Sequence, residues 1–153
     1  MKLANALSQR SDLQTRLRQL ESRLNNNAQV QEGEQPSEDP AELLRELDEG
    51  YALLENLIAR INRANNATQV EGGATLSDLL AQRDCLRAKL SALRNFLGNA
   101  SALVRRHSVS EIKVKSTVNV RELQKQVDEL AKQLRELDET IQEKNWTTEI
   151  PEE

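Results

Sequence analysis

Leucine and other aliphatic residues recur every three or four positions over most of the chain. This spacing places them along one side of an α-helix, whereas a strand would need apolar residues at every second position. The pattern predicts four helices, at about residues 2–31, 39–67, 75–107 and 119–145. We therefore predict an all-α fold: one domain over 1–153, with four long amphipathic helices in an elongated antiparallel bundle.

Capping residues support the predicted helix starts. Asp39 is followed by Pro40 and, three residues after the cap, by Glu42, which is the order of a capping box with proline at the first helical position. Asn119 and Glu122 repeat the spacing before the last helix. The pair Gly72–Gly73 predicts the turn between the second and third helices.

The helical period breaks over residues 110–118, where Ile112, Val114 and Val118 alternate with polar residues and predict a strand. The tail 146–153 is predicted to be extended, and 146–150 is rich in β-forming residues. A straight helix over 119–145 spans ~40 Å and keeps the two segments apart within one chain. We therefore predict a homo-oligomer in which strand 110–118 pairs in trans, with its own copy or with tail 146–150. A hairpin within 108–118 is the alternative.

Composition and charge exclude several classes of protein. The net charge is −4, which is the wrong sign for a general nucleic-acid binder. Residues 32–50 hold eight acidic and one basic side chain, whereas 75–107 hold six basic and two acidic ones, which favours charge-matched packing or assembly. No window approaches the ~18 apolar residues of a membrane span. One cysteine and no recognisable export signal predict a cytoplasmic protein.

The sequence offers no catalytic or metal-binding constellation. Cys85 and His107 are the only residues of their kinds, and a helix over 75–107 would separate them by ~33 Å. The spacings of zinc sites, of di-iron helical bundles and of phosphate-binding glycine loops are missing. We predict that the protein is not an enzyme and has no cofactor or metal. Cys85 is interpreted as a small packed apolar residue.

Two arginines occupy positions where the pattern calls for leucine. If successive helices form antiparallel hairpins, Arg10 and Arg83 reach the same level of the bundle as Asn62. Asp84 and Asn65 lie close by, so we predict one polar layer. Such a layer either fixes the register of the helices or binds a small anion between the guanidinium groups.

Short segments along nearly the whole sequence resemble those of a known family: Lys2-Leu3-Ala4, Asp12-Leu13-Gln14, Val30 to Glu34, Asp39-Pro40, Ile61-Asn62-Arg63, Arg83-Asp84, Ser110 to Lys113, Leu123 to Asp128 and Asn145 to Thr148. On these segments the chain resembles the septicolysin-like proteins of bacteria. The family name implies a cytolysin, and it supplies no site residues.

The sequence therefore favours a non-enzymatic helical protein that assembles with itself as a scaffold or binds a partner. A protein that binds a small anion or polar ligand at Arg10, Asn62, Asn65, Arg83 and Asp84 is the second hypothesis. A cytolysin is the third, and the missing export signal and missing exposed apolar segment argue against it. We expect neither nucleic acid nor membrane as a partner.

Overall fold

The fold is all-α over the residues that the structure describes. A computed structural model describes residues 1–102 and 112–151. Its helices are α1 (Leu3–Asn26), α2 (Pro40–Ala67), α3 (Leu76–Ser101) and α4 (Val120–Thr147). The predicted fold class and the order of the four long amphipathic helices are confirmed. Positions 103–107 of the predicted third helix, including His107, lie outside the described residues.

The helices belong to two compact units. The first, here the α1–α2 unit, comprises Met1–Thr75 and the chain from Lys144 onward, and the second, the α3–α4 unit, comprises Leu76–Glu143. The prediction of one domain over 1–153 stays a prediction.

Leucines of both helices form the core of the α1–α2 unit. Leu17 and Leu20 of α1 are buried with Leu43 and Leu54 of α2, and Leu13, Leu24, Leu47 and Ile58 pack against them. The helices run antiparallel, and they approach closely at Gly50. A Cβ atom at Gly50 would lie 2.6 Å from Cδ2 of Leu17, so the core leaves room there for a hydrogen only. Glycine is unfavourable inside a helix, but at position 50 its lack of a side chain allows α1 and α2 to pack closely.

The first helix ends earlier than predicted, at Asn26 and not near residue 31. The reason is Asn27, a buried polar residue. Its side-chain amide donates to the Arg23 carbonyl at 2.9 Å, and its side-chain oxygen accepts from the Glu38 backbone N–H at 3.0 Å. Arg23 also forms an ion pair with the Glu38 carboxylate. Asn27 thus terminates α1 and fastens the loop that leads to α2.

The predicted helix starts and the glycine turn are confirmed. The Asp39 carboxylate accepts from the Ala41 N–H at 2.9 Å with Pro40 at the first helical position, and Asn119 accepts from the Glu122 N–H at 3.2 Å. Gly72 and Gly73 have φ angles of 92° and 86°, a conformation that is costly for other residues. An antiparallel bridge between Gln69 and Thr75 closes this turn.

The α3–α4 unit is a second antiparallel pair of helices. Its core contains Leu90 and Leu97 of α3 and Val127 of α4, flanked by Leu93, Val120, Leu123, Leu130, Ala131 and Leu134. An ion pair between Arg87 and Asp138, with 3.1 Å between Nη2 and Oδ2, connects the two helices. The unit therefore holds together mainly by aliphatic contacts, as the spacing of its leucines predicts.

The strand predicted over 110–118 is not found where the structure describes it. Residues 112–116 carry no assigned secondary structure and 117–118 form a bend, while 110 and 111 lie outside the described residues. The Ser116 hydroxyl donates to the Val118 carbonyl at 3.1 Å and accepts from the Val118 N–H at 3.4 Å. A hydroxyl that satisfies the backbone locally competes with pairing in a sheet.

Candidate functional site

The five residues of the predicted polar layer divide between the two units. Arg10, Asn62 and Asn65 belong to the α1–α2 unit, and Arg83 and Asp84 to the α3–α4 unit. Within the described residues no hydrogen bond or ion pair joins Arg10 to either asparagine. Arg83 pairs with its neighbour Asp84, with 3.1 Å between Nη2 and Oδ1.

The five residues differ in exposure. Arg10, Asn65 and Arg83 are partly buried, with the Arg83 side chain 21% exposed, whereas Asn62 and Asp84 are exposed. Successive residues of a helix point about 100° apart. Asn62 follows the buried Ile61, so it points away from the core, and Asp84 turns outward from Arg83 in the same way. Whether these residues bind a ligand stays a prediction.

The two ends of the described chain meet in the α1–α2 unit, in a contact that the sequence pattern does not indicate. Lys2 and Glu149 form an antiparallel bridge. The Leu3 N–H donates to the Thr148 carbonyl at 2.9 Å, and the Ile150 N–H donates to the Met1 carbonyl at 2.7 Å. We call this pairing of residues 1–3 with 148–150 the terminal strand pair. Leu3 and Ile150 are buried at 0% and 2% exposure, so the pair belongs to the core of its unit.

Charge reinforces the terminal strand pair. The Glu149 carboxylate lies 2.6 Å from the Lys2 ammonium and 3.3 Å from the Met1 amino nitrogen. Hydrogen bonds from these two groups lower the pKa of Glu149 below its ordinary value. An exposed ion pair contributes little stability by itself. Here the backbone hydrogen bonds already hold Lys2 and Glu149 next to each other, so less conformational entropy is lost when their side chains pair.

The tail therefore has a partner within its own chain. The sequence predicts pairing of 146–150 with strand 110–118 of another copy, because a helix separates these two segments within the chain. The N-terminal residues, which are the partner in the structure, carry no strand pattern. Residues 146 and 147 are also the last residues of α4 and not part of an extended tail.

Residues 112–118 present apolar side chains to solvent. Ile112 is 79% exposed, Val114 56% and Val118 36%. Lys113 and Lys115 alternate with them and are exposed as well. Contiguous exposed apolar surface marks an interaction site more often than single exposed apolar residues do.

A second exposed surface lies on α2 and carries the opposite charge. Leu44 and Tyr51 are 52% and 53% exposed, and the acidic residues Asp48 and Glu55 are exposed between and beyond them. Their spacing, i, i+4, i+7 and i+11, places all four on one side of the helix. An open groove along α2 includes Asp48, Tyr51 and Glu55 in its lining. We call these four residues the acidic α2 face.

The remaining chemistry of the described residues is sparse. Cys85 is exposed, so its interpretation as a packed apolar residue is wrong. No group of three or more histidine, cysteine, aspartate or glutamate side chains within 1–102 and 112–151 is arranged to hold a metal ion. In the same ranges no helix is both long and apolar enough to cross a membrane.

Comparison with known proteins assigns the family. The model of a family of unknown function, DUF6847, matches residues 10–150. The chain belongs to this family. It is also similar to a solved structure described as a functionally unknown conserved protein from Corynebacterium diphtheriae. The two are 42% identical, the match covers 99% of each chain and the TM-score is 0.92. No curated protein matches the chain.

These matches correct the resemblance drawn from the sequence. The assignment to septicolysin-like proteins is wrong, because the family model and the similar structure both point to proteins of unknown function. The short segments behind that resemblance carry no chemical signature, and helices with heptad patterns share such segments by composition. The cytolysin hypothesis loses its basis with the family name.

Proposed function

We propose that this member of the DUF6847 family is a non-enzymatic protein that assembles with itself. In the proposed contact, residues 112–118 of one copy lie on the acidic α2 face of a second copy. The observation that carries the proposal is the exposure of Ile112 and Val114, at 79% and 56%. Burying side chains of this kind favours association by about 25 cal/mol per Å² of apolar surface.

Charge complementarity supports a second copy as the occupant. Lys113 and Lys115 alternate with the apolar residues of one surface, and Asp48 and Glu55 flank Leu44 and Tyr51 on the other. Two copies of 112–118 paired side by side would bring lysines together, which disfavours strand pairing of this segment with itself. Every copy carries both the basic residues of 112–118 and the acidic α2 face. A contact between opposite charges also fixes the orientation of the two copies.

The proposal that the protein is not an enzyme rests on its residue inventory. One histidine and one cysteine leave few of the usual pairs of nucleophile and base. A cytoplasmic location is part of the same proposal and is supported by the single unpaired cysteine.

Sedimentation equilibrium over a range of protein concentrations tests the assembly. The wild-type protein is expected to associate reversibly. The double variant Ile112→Ser, Val114→Ser is expected to stay monomeric, because serine removes the apolar surface. The matched control Val30→Ser, Phe96→Ser changes two other exposed apolar residues, at 49% and 45% exposure, and is expected to associate like the wild type.

Charge reversal tests which surfaces meet. Lys113→Glu with Lys115→Glu is expected to weaken association, because the new acids face Asp48 and Glu55. Mixing this variant with Asp48→Lys, Glu55→Lys is expected to restore association between the two variants. A wild-type protein that is monomeric at every concentration contradicts the assembly, and a mixture that stays monomeric contradicts the pairing of these two surfaces.

A further inference from the structure

The terminal strand pair and the end of α2 enclose a pocket of about 400 Å³ within the α1–α2 unit. Its lining comes from the last two turns of α2 and from the tail: Arg60, Arg63, Ala64, Ala67, Thr68, Thr148, Glu149, Ile150 and Pro151. Pockets of this size that accept small ligands are mostly apolar, with a few placed polar groups.

Most of the surface that lines the pocket is hydrocarbon. Ala64, Ala67, Ile150 and Pro151 are its apolar residues. The Thr68 hydroxyl donates to the Thr148 hydroxyl at 3.4 Å. A ligand in the pocket meets mainly hydrocarbon, which favours an apolar body.

The polar part of the pocket is cationic. Arg60 donates from Nη2 to the Pro151 carbonyl at 2.6 Å, while its Nε is buried without a hydrogen-bond partner among the described residues. A buried donor without a partner is costly, and a bound acceptor relieves that cost. Arg63, one helical turn further on, is exposed and makes no ion pair with any described carboxylate.

The one carboxylate in the lining does not cancel this charge. Glu149 lies 2.6 Å from the Lys2 ammonium and 3.3 Å from the Met1 amino nitrogen, so its charge is already neutralised. Among the described residues, Arg60 and Arg63 are therefore the charges of the lining that have no carboxylate partner. Guanidinium groups bind carboxylates through paired hydrogen bonds, more strongly than neutral donors do.

We propose that this pocket binds a small carboxylate with an apolar body, such as a medium-chain fatty acid. The carboxylate contacts Arg60 and Arg63, and the hydrocarbon lies on Ala64, Ala67 and Ile150. The site is separate from the surfaces proposed for self-assembly. It differs from the predicted polar layer in every residue, and it depends on the tail returning to the N-terminus.

Titration of the full chain with sodium decanoate, followed by calorimetry and by amide NMR shifts, tests the proposal. Decanoate, kept below its micellar concentration, is expected to bind once per chain. Shifts are expected at Thr68, Thr148 and Ile150. Acetate, which lacks the apolar body, and 1-decanol, which lacks the charge, are each expected to bind at least about tenfold more weakly.

Two variants at exposed positions test where the ligand binds without changing the buried core. Arg63→Gln removes an exposed cation and is expected to weaken decanoate binding about tenfold. Ala67→Leu, at an exposed position in the lining, fills the pocket and is expected to abolish binding. Arg94→Gln on α3 is the matched control and is expected to bind like the wild type. Unchanged helical circular dichroism confirms that each variant folds.

Three outcomes overturn the proposal. The first is no saturable binding of decanoate to the wild-type protein. The second is binding that Arg63→Gln and Ala67→Leu leave unchanged. The third is acetate binding as tightly as decanoate, since this would remove the role of the apolar lining.

Discussion

At the scale of single residues, Gly50 shows how a packing contact can oppose helix propensity. Replacing glycine by alanine inside a helix normally stabilises it by about 1 kcal/mol. At Gly50 the new Cβ would lie 2.6 Å from Cδ2 of the buried Leu17, well inside contact distance. Displacing a packed core side chain costs about 1–3 kcal/mol. We therefore expect Gly50→Ala to lower the free energy of unfolding by about 1 kcal/mol, measured by urea denaturation.

Gly98 provides the matched control for Gly50. It lies inside α3, and a Cβ atom there would have no other atom within 4 Å. Gly98→Ala is expected to raise the free energy of unfolding by about 0.5–1 kcal/mol, because only helix propensity acts. An equal gain from both substitutions would contradict the close approach of α1 and α2 at Gly50.

Asn27 shows how one buried amide positions a loop. Asn27→Ala removes the hydrogen bonds to the Arg23 carbonyl and from the Glu38 N–H, and it leaves both backbone groups without this partner. The Arg23 carbonyl keeps its bond from the Asn27 backbone N–H. The expected loss of about 1–3 kcal/mol of unfolding free energy therefore comes mainly from the Glu38 N–H, which loses its partner. Asn26→Ala changes the same residue type at an exposed position, and we expect an effect within about 0.5 kcal/mol. Similar losses at both positions in thermal unfolding would contradict the role of Asn27.

At the scale of secondary-structure elements, the terminal strand pair makes the stability of the α1–α2 unit sensitive to acid. The pKa of Glu149 is lowered in the folded protein by its hydrogen bonds with Lys2 and the Met1 amino group. A carboxylate with a lowered pKa stabilises the fold above its unfolded pKa of about 4.3, and this contribution is lost as pH falls through the folded value. Arg23 lowers the pKa of Glu38 in the same way.

We therefore expect Glu149→Gln to be less stable than the wild type at neutral pH, with the difference closing below about pH 4. Melting temperatures measured from pH 7 to pH 3 check this. Glu71→Gln makes the same charge change at an exposed residue of the same unit. Its melting temperature is expected to change with pH as that of the wild type does. A difference between Glu149→Gln and wild type that stays constant over this range would argue against the ion pair.

At the scale of the whole molecule, the proposed assembly joins a basic surface to an acidic one and should depend on ionic strength. Exposed charges more than about 8 Å apart are screened at physiological salt, and closer ones are weakened. We expect the association constant of the wild-type protein to fall as sodium chloride is raised, measured by sedimentation equilibrium. The variant Lys113→Gln, Lys115→Gln is expected to associate more weakly and to lose most of this dependence. Association that strengthens with salt in both proteins would favour a purely apolar contact.

The order and type of the helices were determined by the sequence. A leucine every three or four residues can be buried only on one side of a helix, and caps such as Asp39 and Asn119 act within a few residues of their own position. These are local effects, so they can be predicted without knowing what packs against what. The end of α1 was missed because Asn27 acts through Glu38, eleven residues away.

Only the tertiary structure decided which distant residues meet. Arg10 and Arg83, which occupy positions of the leucine stripes, are partly buried. Asn62 and Asp84, each about 100° from a neighbour in a stripe, are exposed. Arg60 and Arg63 acquire their proposed role because the tail returns to residues 1–3 and places Ile150 and Pro151 beside α2. Residues 1 and 150 are at opposite ends of the sequence. The spacing of apolar residues reflects local structure only, so it cannot predict a backbone pairing between them.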